Sequence, residues 1–234
     1  MTLRIAVYGA RGFVGTQIAN AVRDSRYELV EVVRGQELDG PVDILINAAC
    51  PSQRLRAEQE PLWDYAECVD KTARLFYGGG WGRFVQVSSL SARNHLTAYA
   101  RHRLIAEQIV WNSGLSIRLG PMYGEGLTKG YLADMMADRP VYAPHGTRYS
   151  YAPVAWCGQR ILDLALSPRT GVVEVGGAGH ITLGELADSI GSLSEFRESE
   201  WFKPEHQTLL RGGPQTRKVI AWALEHRLTP KANA

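Results

Sequence analysis

The sequence predicts an α/β fold with a doubly wound parallel sheet, because apolar runs alternate with amphipathic helical segments along its first half. The first apolar run, "LRIAVYG", ends in glycine and leads into "FVGTQIANAVRD", where Val14, Ile18 and Val22 recur at helical spacing. Four more strand-like runs follow, in "YELVEVVR", "VDILINAA", "RFVQVSS" and "LSIRLG". Helical patterns precede the last two runs, in "EPLWDYAECVDKTARLFYGG" and "TAYARHRLIAEQIVWNSG". This alternation predicts a Rossmann-type core over residues 1–120.

The regular alternation ends after Gly120. A Gly/Pro/Tyr-rich stretch follows, with one short helical segment from Tyr131 to Ala137. A helix in "AWCGQRILDLALS", a strand in "GVVEVGG" and a helix opened by a Thr182–Glu185 capping box are then predicted. The last predicted helix is "QTRKVIAWALEHRL". We expect residues 121–234 to form a mixed α/β region that supplies a small substrate lid and returns elements to the core.

Composition narrows the possible partners. The 234 residues include 26 Lys and Arg against 24 Asp and Glu, so the formal net charge of +2 gives no reason to expect nucleic acid or an anionic membrane. No apolar run approaches the roughly 18 residues that span a bilayer. The chain enters a strand almost at once, in "MTLRIAVYG", so we expect no signal peptide and a cytoplasmic protein.

Three cysteines, Cys50, Cys68 and Cys157, are odd in number and widely spaced. They lack the CxxC spacing of a metal or redox motif, so the sequence predicts reduced, buried thiols. The histidines also lack metal-ligand spacing, and we expect no metal site.

A glycine loop lies directly between the first predicted strand and the first helix. Gly9, Gly12 and Gly15 give the pattern GxxGxxG. Glycines there allow a tight turn, a close backbone approach to a pyrophosphate and close helix–strand packing, while the helix N-terminus offers N–H groups to phosphate. This context predicts a nucleotide-binding loop, with an ordinary structural turn as the alternative.

The end of the second predicted strand bears on the choice of cofactor. An acid there would bind the ribose 2′-hydroxyl of NAD, whereas a base would accept the 2′-phosphate of NADP. The sequence "VEVVRGQELDG" places Arg34 at that point with no acid beside it. NADP is therefore favoured over NAD. Arg11 in the glycine loop could also reach the phosphate, and Arg34 could instead be an ordinary exposed arginine.

The chain resembles the extended short-chain dehydrogenases/reductases, or the atypical branch of that superfamily, which includes nucleotide-sugar epimerases, dehydratases and reductases. The resemblance lies in "YGARGFVG", "VDILINAA", "RFVQVSSLSA", "YARHRLIAEQ", "IRLGPMYGEG", "ITLGELADSIG" and "TRKVIAWALEHRLTP". It implies Ser89 as the hydrogen-bonding partner of the substrate oxygen, Tyr99 as the general acid/base and Arg103 as the third member of the site. The implied cofactor site is formed by Gly9, Arg11, Gly12, Phe13, Val14, Gly15, Arg34, Asn47, Ala48, Ala49, Val87, Ser88, Tyr99, Arg103, Pro121, Met122 and Tyr123. Relatives often dimerise through the helix that carries Tyr99, so a homodimer is expected from the resemblance.

The pair Tyr99 and Arg103 has a physical logic of its own. The pKa of a tyrosine hydroxyl in water is about 10, so the side chain needs a nearby cation to act as a base at neutral pH. Residues four apart on a helix are neighbours, which places a cation at position 103 on the face of Tyr99. His102, in contrast, is turned by about 100° around the helix and is expected on the solvent side.

Three features depart from the family pattern. Arg103 stands where the family carries lysine, and a guanidinium keeps the charge but effectively never releases a proton. The segment between Ser89 and Tyr99 is short, and Val154 to Trp156 replace the paired aspartates that precede a later helix. We therefore expect an NAD(P)-dependent oxidoreductase or epimerase acting on a keto or hydroxyl carbon of an activated sugar or related metabolite. The alternative is a catalytically weak NADP(H)-binding sensor or structural subunit with a degraded Tyr-x-x-x-Lys site.

Overall fold

The structure, a computed structural model, describes residues 2–111, 113–197 and 212–227. Its strands, in chain order, are β1 (Arg4–Tyr8), β2 (Glu28–Val32), β3 (Val42–Asn47), β4 (Trp81–Ser89), β5 (Leu115–Leu119), β6 (Met122–Tyr123), β7 (Arg148–Tyr149), β8 (Ala152–Pro153), β9 (Gly171–Val175) and β10 (Ile181–Thr182). Its α-helices are α1 (Phe13–Arg23), α2 (Arg54–Gln59), α3 (Pro61–Tyr65), α4 (Lys71–Gly78), α5 (Ala98–Val110), α6 (Tyr131–Met136), α7 (Val154–Ala165), α8 (Leu183–Ser189) and α9 (Lys218–His226). None of the described helices is both long and apolar enough to cross a bilayer.

The chain divides into two compact units, and the first contains residues 1–119 and 154–175. Its six strands pair in the order β2-β1-β3-β4-β5-β9, and every pairing is parallel. The predicted doubly wound parallel sheet is confirmed. Since β1 pairs with β2 on one side and with β3 on the other, the strand order reverses there, which is where ligands bind in open α/β sheets.

Burial explains why β1 and β3 read as continuous apolar runs. Ile5 and Val7 of β1 and Ile46 of β3 are fully buried, as strands covered on both faces require. A cluster of Ala6, Val42, Leu45, Phe84 and Val110 joins three strands to α5 and forms part of the core of this unit. The sheet is therefore a rigid base for the loops at its carboxyl edge.

The segment predicted as one helix from residue 60 to 79 is built from several pieces. Pro61 opens α3, where a missing N–H costs nothing, and a separate short helix, α2, precedes it. A π-helical turn, Ala66–Asp70, then joins α3 to α4. Such turns insert one extra residue into a helix and are frequent at functional sites.

The second unit contains residues 120–153 and the described part of 176–234. Two small sheets, β6 with β8 and β7 with β10, lie beside α6, α8 and α9. Their shared apolar core is formed by Tyr123, Leu132, Met135, Val141, Ala143, Tyr149, Tyr151, Ile181, Leu183, Leu186, Ala187, Ile190, Val219 and Ala223. Thr182 caps α8 as predicted, because its Oγ1 accepts from the Glu185 N–H at 3.1 Å. The Glu185 carboxylate pairs with Arg217 at 2.5 Å.

The last helix begins later than predicted. The pattern placed its start at Gln215, whereas α9 starts at Lys218. Gln215 forms a β-bridge with Ala178, and the Thr216 N–H donates to the Ala178 carbonyl at 3.0 Å. Gln215 and Thr216 therefore precede the helix. The predicted end of this helix, at residue 228, lies outside the described residues.

Candidate active site and cofactor site

The three glycines of the loop between β1 and α1 have different surroundings. Gly9 has φ +77°, and a Cβ there would lie 2.8 Å from the Ala48 carbonyl oxygen. At Gly15 a Cβ would lie 2.0 Å from the Gly9 oxygen, so this position is closed by packing. Gly12 is exposed, and a Cβ would meet only the Gly9 oxygen, at 3.2 Å. Gly9 and Gly15 therefore serve the turn and the helix–strand packing, while Gly12 leaves backbone open on the solvent side.

The N-terminus of α1 adjoins Gly12. Gly12 is the N-cap, and no side chain caps the helix. The first N–H groups of a helix have no partner within it, so those of Phe13, Val14 and Gly15 carry the positive end of the helix dipole. A glycine-lined, uncapped helix start after the first strand fits the pyrophosphate of a dinucleotide.

Two arginines were predicted to select a 2′-phosphate. Arg11 is exposed in the glycine loop. β2 ends at Val32, two residues earlier than predicted, and the Arg34 side chain is 86% exposed, 3.5 Å from Glu67. Lys71 and, more weakly, Arg34 hold the pKa of the Glu67 carboxyl below its usual value. Arg34 would therefore lose only a weak, exposed ion pair with Glu67 on binding an anionic ligand.

The end of β3 lies beside the glycine loop. Asn47 is fully buried, and its Nδ2 donates to Gln86 Oε1 at 2.9 Å and to Thr72 Oγ1 at 3.3 Å. Its Oδ1 accepts from the Ala49 N–H at 3.2 Å. Asn47 therefore shapes the turn after β3, and Ala48 and Ala49 present their backbone to the loop.

Helix α5 carries Tyr99, Arg103 and Glu107 at successive intervals of four residues, which places all three on one face. Thr97 fixes the start of the helix, because its Oγ1 accepts from the Ala100 N–H at 3.1 Å. All three side chains on this face are buried. Such a row of polar groups needs partners, because burying a polar or charged group without them is costly.

Two guanidinium groups lie near the Tyr99 ring. The Arg103 group is 4.6 Å from the centre of that ring, and the Arg54 group is 5.7 Å away. The Tyr99 backbone N–H donates to Glu58 Oε1 at 3.3 Å, so α2 contacts the start of α5 twice. Tyr99 is 5% exposed. The Tyr99 ring therefore contacts two cationic side chains.

Arg103 is 2% exposed and has partners that the sequence did not predict. Its Nη1 donates to Cys68 Sγ at 2.7 Å, and its Nη2 donates to the Pro51 carbonyl. Burial lowers the pKa of Arg103, but interactions with Tyr99, Cys68 and Cys50 outweigh burial and raise it well above its ordinary value. The cation beside Tyr99 is therefore permanent and held from two sides.

The serines that end β4 point to different partners. The Ser89 hydroxyl caps a 3-10 turn, Leu90–Arg93, accepting from the Ser91 N–H at 3.2 Å and donating to Ser91 Oγ at 3.3 Å. The Ser88 hydroxyl donates to Glu107 Oε1 at 2.5 Å. Val87, one residue earlier, is half-buried. Among the described residues no hydrogen bond joins Ser89 to Tyr99.

Ser88 belongs to an ionic chain that ties α5 to the sheet. Arg118 on β5 donates to both Glu107 oxygens, at 2.7 and 2.9 Å, and lies 3.8 Å from Glu174 on β9. Arg93 forms a second ion pair with Glu174. Hydrogen bonding from Arg93, opposed by burial and aided by Arg118, lowers the pKa of the Glu174 carboxyl. These ion pairs fix the position of α5, and with it the positions of Tyr99 and Arg103.

The segment predicted to flank the nicotinamide lies in the second unit. Pro121, Met122 and Tyr123 are in that unit, where the Pro121 carbonyl accepts from the Ala152 N–H at 3.1 Å.

The expectation that His102 faces solvent is wrong. Its ring Nδ1 lies 2.8 Å from Asp64 Oδ2, and Asp64 is fully buried, because α3 packs over that side of α5.

Sequence reasoning missed Cys50, Cys68 and Glu107. Cys50 directly follows Ala48 and Ala49, which were predicted to face the nucleotide, so its position in the sequence could have indicated that it lies near the site. The interval of four from Tyr99 through Arg103 also extends to Glu107. Cys68, however, reaches Arg103 from a π-helical turn that no sequence period predicts.

Solved structures match this fold over nearly its whole length. An NAD-dependent NDP-hexosamine 5,6-dehydratase, TunA, is 17% identical with a TM-score of 0.80, covering 96% of this chain and 97% of its own. A UDP-N-acetylglucosamine 4-epimerase from Methanobrevibacter ruminantium M1 is 13% identical with a TM-score of 0.76, covering 96% of both chains. A dTDP-4-dehydrorhamnose reductase from Bacillus anthracis str. Ames, in complex with NADP, is 17% identical with a TM-score of 0.76, covering 97% of this chain and 98% of its own.

At the level of sequence, no protein-family model and no curated protein matches the chain. The structural matches have low identity, so they establish the fold and leave the reaction to be inferred from the residues. The chain has the Rossmann-type fold of the nucleotide-sugar epimerases, dehydratases and reductases that it matches.

Proposed function

We propose that this protein is an NADP(H)-dependent oxidoreductase or epimerase acting on a keto or hydroxyl carbon of a nucleotide sugar, with Tyr99 as its general acid/base. The observation that carries the proposal is the contact of Tyr99 with a permanent cation, Arg103, at 4.6 Å. Tyr99 is in the same unit as the uncapped glycine loop. The fold shared with nucleotide-sugar enzymes adds support.

The cofactor, when bound, would supply a carbon that accepts or donates hydride. Oxidation of a carbinol also requires removal of the proton on its oxygen, and reduction requires that proton to be returned. Tyr99 would perform that transfer, and Arg103 would stabilise the phenolate. Ser89 would exchange its hydrogen bond to Ser91 for one to the substrate oxygen.

Arg103 alters the usual proton path. A guanidinium effectively never deprotonates, so Arg103 can hold charge but cannot relay the proton onward from Tyr99. Its Nη groups are also engaged by Cys68 and Pro51. The proton on Tyr99 would therefore exchange with water when the site is open, which makes turnover slower than in an enzyme with lysine at this position.

Preference for NADP over NAD is part of the proposal. Arg11 and Arg34 are both exposed, and no acidic residue follows β2 directly. Either guanidinium can pair with a 2′-phosphate, for which arginine is well suited. The expected partner molecules are thus NADP(H) and a nucleotide sugar.

A catalytically weak NADP(H)-binding protein is the second candidate. Two observations favour it: the Ser89 hydroxyl is committed to Ser91, and the Arg103 guanidinium is committed to Cys68 and Pro51. Both candidates require nucleotide binding at the glycine loop, and they differ in turnover.

Substitution of Gly12 tests the cofactor site with a matched pair of variants that share any effect of the added Cβ on the fold. Gly12 is an exposed N-cap with φ −78°, and both Asp and Asn are favourable N-cap residues. In Gly12→Asp the carboxylate would repel the diphosphate, whereas Gly12→Asn is a neutral control of similar shape. Titration with NADPH should show an affinity loss of about tenfold or more for the aspartate beyond that of the asparagine, or about 1.4 kcal/mol.

The same titration decides between outcomes. The unsubstituted protein should bind NADPH more tightly than NADH. Failure of the unsubstituted protein to bind either nucleotide, or equal affinity in Gly12→Asp and Gly12→Asn, would contradict the proposed site. Nucleotide binding combined with no turnover of any UDP- or dTDP-sugar would instead favour the second candidate.

A further inference from the structure

A second cation lies beside Tyr99, on the short helix α2. The Arg54 guanidinium is 5.7 Å from the centre of the Tyr99 ring. Arg54 is exposed, whereas Arg103, the other cation at this ring, is 2% exposed. Arg54 is therefore the cation beside Tyr99 that a molecule in solution can reach.

The rest of α2 fixes the position of Arg54. Ala57 is fully buried, so the helix is seated on the first unit. Glu58, four residues after Arg54, accepts from the Tyr99 N–H at 3.3 Å. The same turn of helix thus contacts both the backbone and the ring of Tyr99. Arg54 is held at this place by more than its own side chain.

The two arginines of α2 have different surroundings. Arg56 donates from Nε and Nη2 to Glu60 Oε2, at 3.1 and 3.0 Å, and its guanidinium is 3.9 Å from the centre of the Trp63 ring. Arg56 is thus engaged by the residues that follow it in the chain, whereas Arg54 contacts Tyr99. The chain therefore offers Arg56 as a matched control for Arg54.

Arg103 is not available to an anionic ligand. It is buried, and its Nη groups donate to Cys68 Sγ and to the Pro51 carbonyl. Arg54 differs, because it is exposed and a guanidinium carries five N–H donors. Arg54 can therefore contact the Tyr99 ring and bind an anion at the same time.

The place of Arg54 indicates where that anion lies on the substrate. A substrate oxygen that exchanges a proton with Tyr99 must be within hydrogen-bonding reach of its hydroxyl. An anionic group that reaches Arg54 therefore lies on the sugar, near the reacting carbon. A uronic sugar carries a carboxylate on its ring, and a carboxylate matches the guanidinium fork with two parallel hydrogen bonds.

We propose that Arg54 is a specificity-determining residue that binds a carboxylate on the sugar of the substrate, so that the preferred substrates are nucleotide-linked uronic acids. This inference rests on the proposed function, because it requires the reacting carbon to lie beside Tyr99. Arg54 takes no part in the transfer of the proton. It favours acidic over neutral sugars through an ion pair that a neutral sugar cannot form.

Two ligands isolate the effect of the carboxylate. UDP-glucuronate and UDP-glucose differ only in a carboxylate against a hydroxymethyl group, so any contact with UDP contributes equally to both affinities. Isothermal titration calorimetry on the unsubstituted protein should give about tenfold or more tighter binding of UDP-glucuronate. Equal affinities, or tighter binding of UDP-glucose, would overturn the inference.

Substitutions assign the preference to one side chain. Arg54→Gln removes the charge, so the two ligands should bind with nearly equal affinity, whereas Arg54→Lys should keep part of the preference. Arg56→Gln should keep all of it. A preference that survives in Arg54→Gln, or that is lost equally in Arg56→Gln, would contradict the assignment. Urea denaturation of each variant establishes that it is folded, and the result on the unsubstituted protein stands without them.

The same variants test the rival assignment of Arg54 to a phosphate group. Affinity for NADPH should be unchanged in Arg54→Gln. A loss of about tenfold in that affinity, or an equal loss for both UDP-sugars, would assign Arg54 to a phosphate and overturn the inference.

Failure of this inference is distinguishable from failure of the proposed function. Tyr99-dependent turnover of a neutral nucleotide sugar, with no preference for UDP-glucuronate, would overturn the inference alone. Binding of neither UDP-sugar, with no turnover of any nucleotide sugar, would overturn both.

Discussion

At the scale of single residues, Arg103 is where the sequence and the structure agree least. Its position four residues after Tyr99 predicted a cation on the tyrosine face, and the contact of 4.6 Å agrees with that. Its bonds to Cys68 and Pro51 were not predicted, because both partners come from distant segments. Helical spacing fixes neighbours along one helix and carries no information about neighbours from another.

The positions of the loop glycines were more predictable than the partners of Arg103, because the conformation and packing that require glycine there are set by nearby residues. Gly9 adopts φ +77°, which disfavours a residue with a Cβ, and Gly15 faces backbone at a distance that excludes one. The strand–turn–helix context in the sequence is enough to identify such positions.

Gly15→Ala should therefore destabilise the protein strongly. The added Cβ would lie 2.0 Å from the Gly9 oxygen, and backbone must move to admit it. Overpacking of this kind costs about 3 kcal/mol or more of unfolding free energy. Urea denaturation measures it, with Gly78→Ala as the matched control.

Gly78 lies in α4 with no atom within 4 Å of a Cβ, so its alanine variant should change stability by less than about 1 kcal/mol. Similar unfolding midpoints for Gly15→Ala and Gly78→Ala would show that the loop is not closed by packing.

At the scale of elements, α5 is the part that organises the site. Tyr99, Arg103 and Glu107 share one face, and each is tied to a different part of the first unit: Tyr99 to α2, Arg103 to the segments around Pro51 and Cys68, and Glu107 to the sheet. Its helical span was predicted within a few residues, and the capping of its start by Thr97 was not predicted. What its polar face contacts depends on the sheet order, and a single sequence does not contain that information.

Glu107→Gln should destabilise the protein because it leaves Arg118 with only its more distant charged partner, Glu174, at 3.8 Å. Glu107 is 1% exposed and accepts from Ser88 as well as from Arg118. Removing one member of a buried pair costs about 3 kcal/mol. The free energy of unfolding in urea is the measurement.

Glu31→Gln is the control for that variant. Its partner, Arg23, lies at 2.5 Å, but both side chains are more than a third exposed, so the loss should be about 1 kcal/mol or less. Equal losses in Glu107→Gln and Glu31→Gln would mean that the ionic chain does not anchor α5.

The segment between β3 and β4 shows the opposite case. Its apolar spacing predicted one helix over residues 60–79, whereas the structure contains α2, α3, a π-helical turn and α4. Pro61 marks one boundary that could have been recognised. The π-helical turn around Cys68 could not, because one extra residue barely disturbs the apolar pattern.

At the scale of the whole molecule, the alternation of strands and helices was enough to predict the class of fold. The same sheet is shared with enzymes of only 17% identity at a TM-score of 0.80. Such agreement arises because pattern and burial determine the sheet, while individual residues vary. The region after residue 120 has no such alternation, and its small two-stranded sheets were not predicted individually.

The substrate is the part that the whole-molecule comparison constrains least. The matched structures include a dehydratase, an epimerase and a reductase on one architecture. Function depends on the site rather than on the fold. The proposed function therefore depends on one side chain, Tyr99.

The most direct test is the turnover of Tyr99→Phe. The protein is incubated with NADP⁺ or NADPH and a panel of UDP- and dTDP-sugars, with reduced cofactor followed by absorbance and sugar products by mass spectrometry. Tyr77→Phe on the exposed side of α4 is the control. The account predicts turnover of at least one sugar, a loss of about 100-fold in Tyr99→Phe with NADPH affinity within about threefold, and no loss in Tyr77→Phe. Turnover of Tyr99→Phe equal to that of the unsubstituted protein, or no turnover of the whole panel, would contradict it.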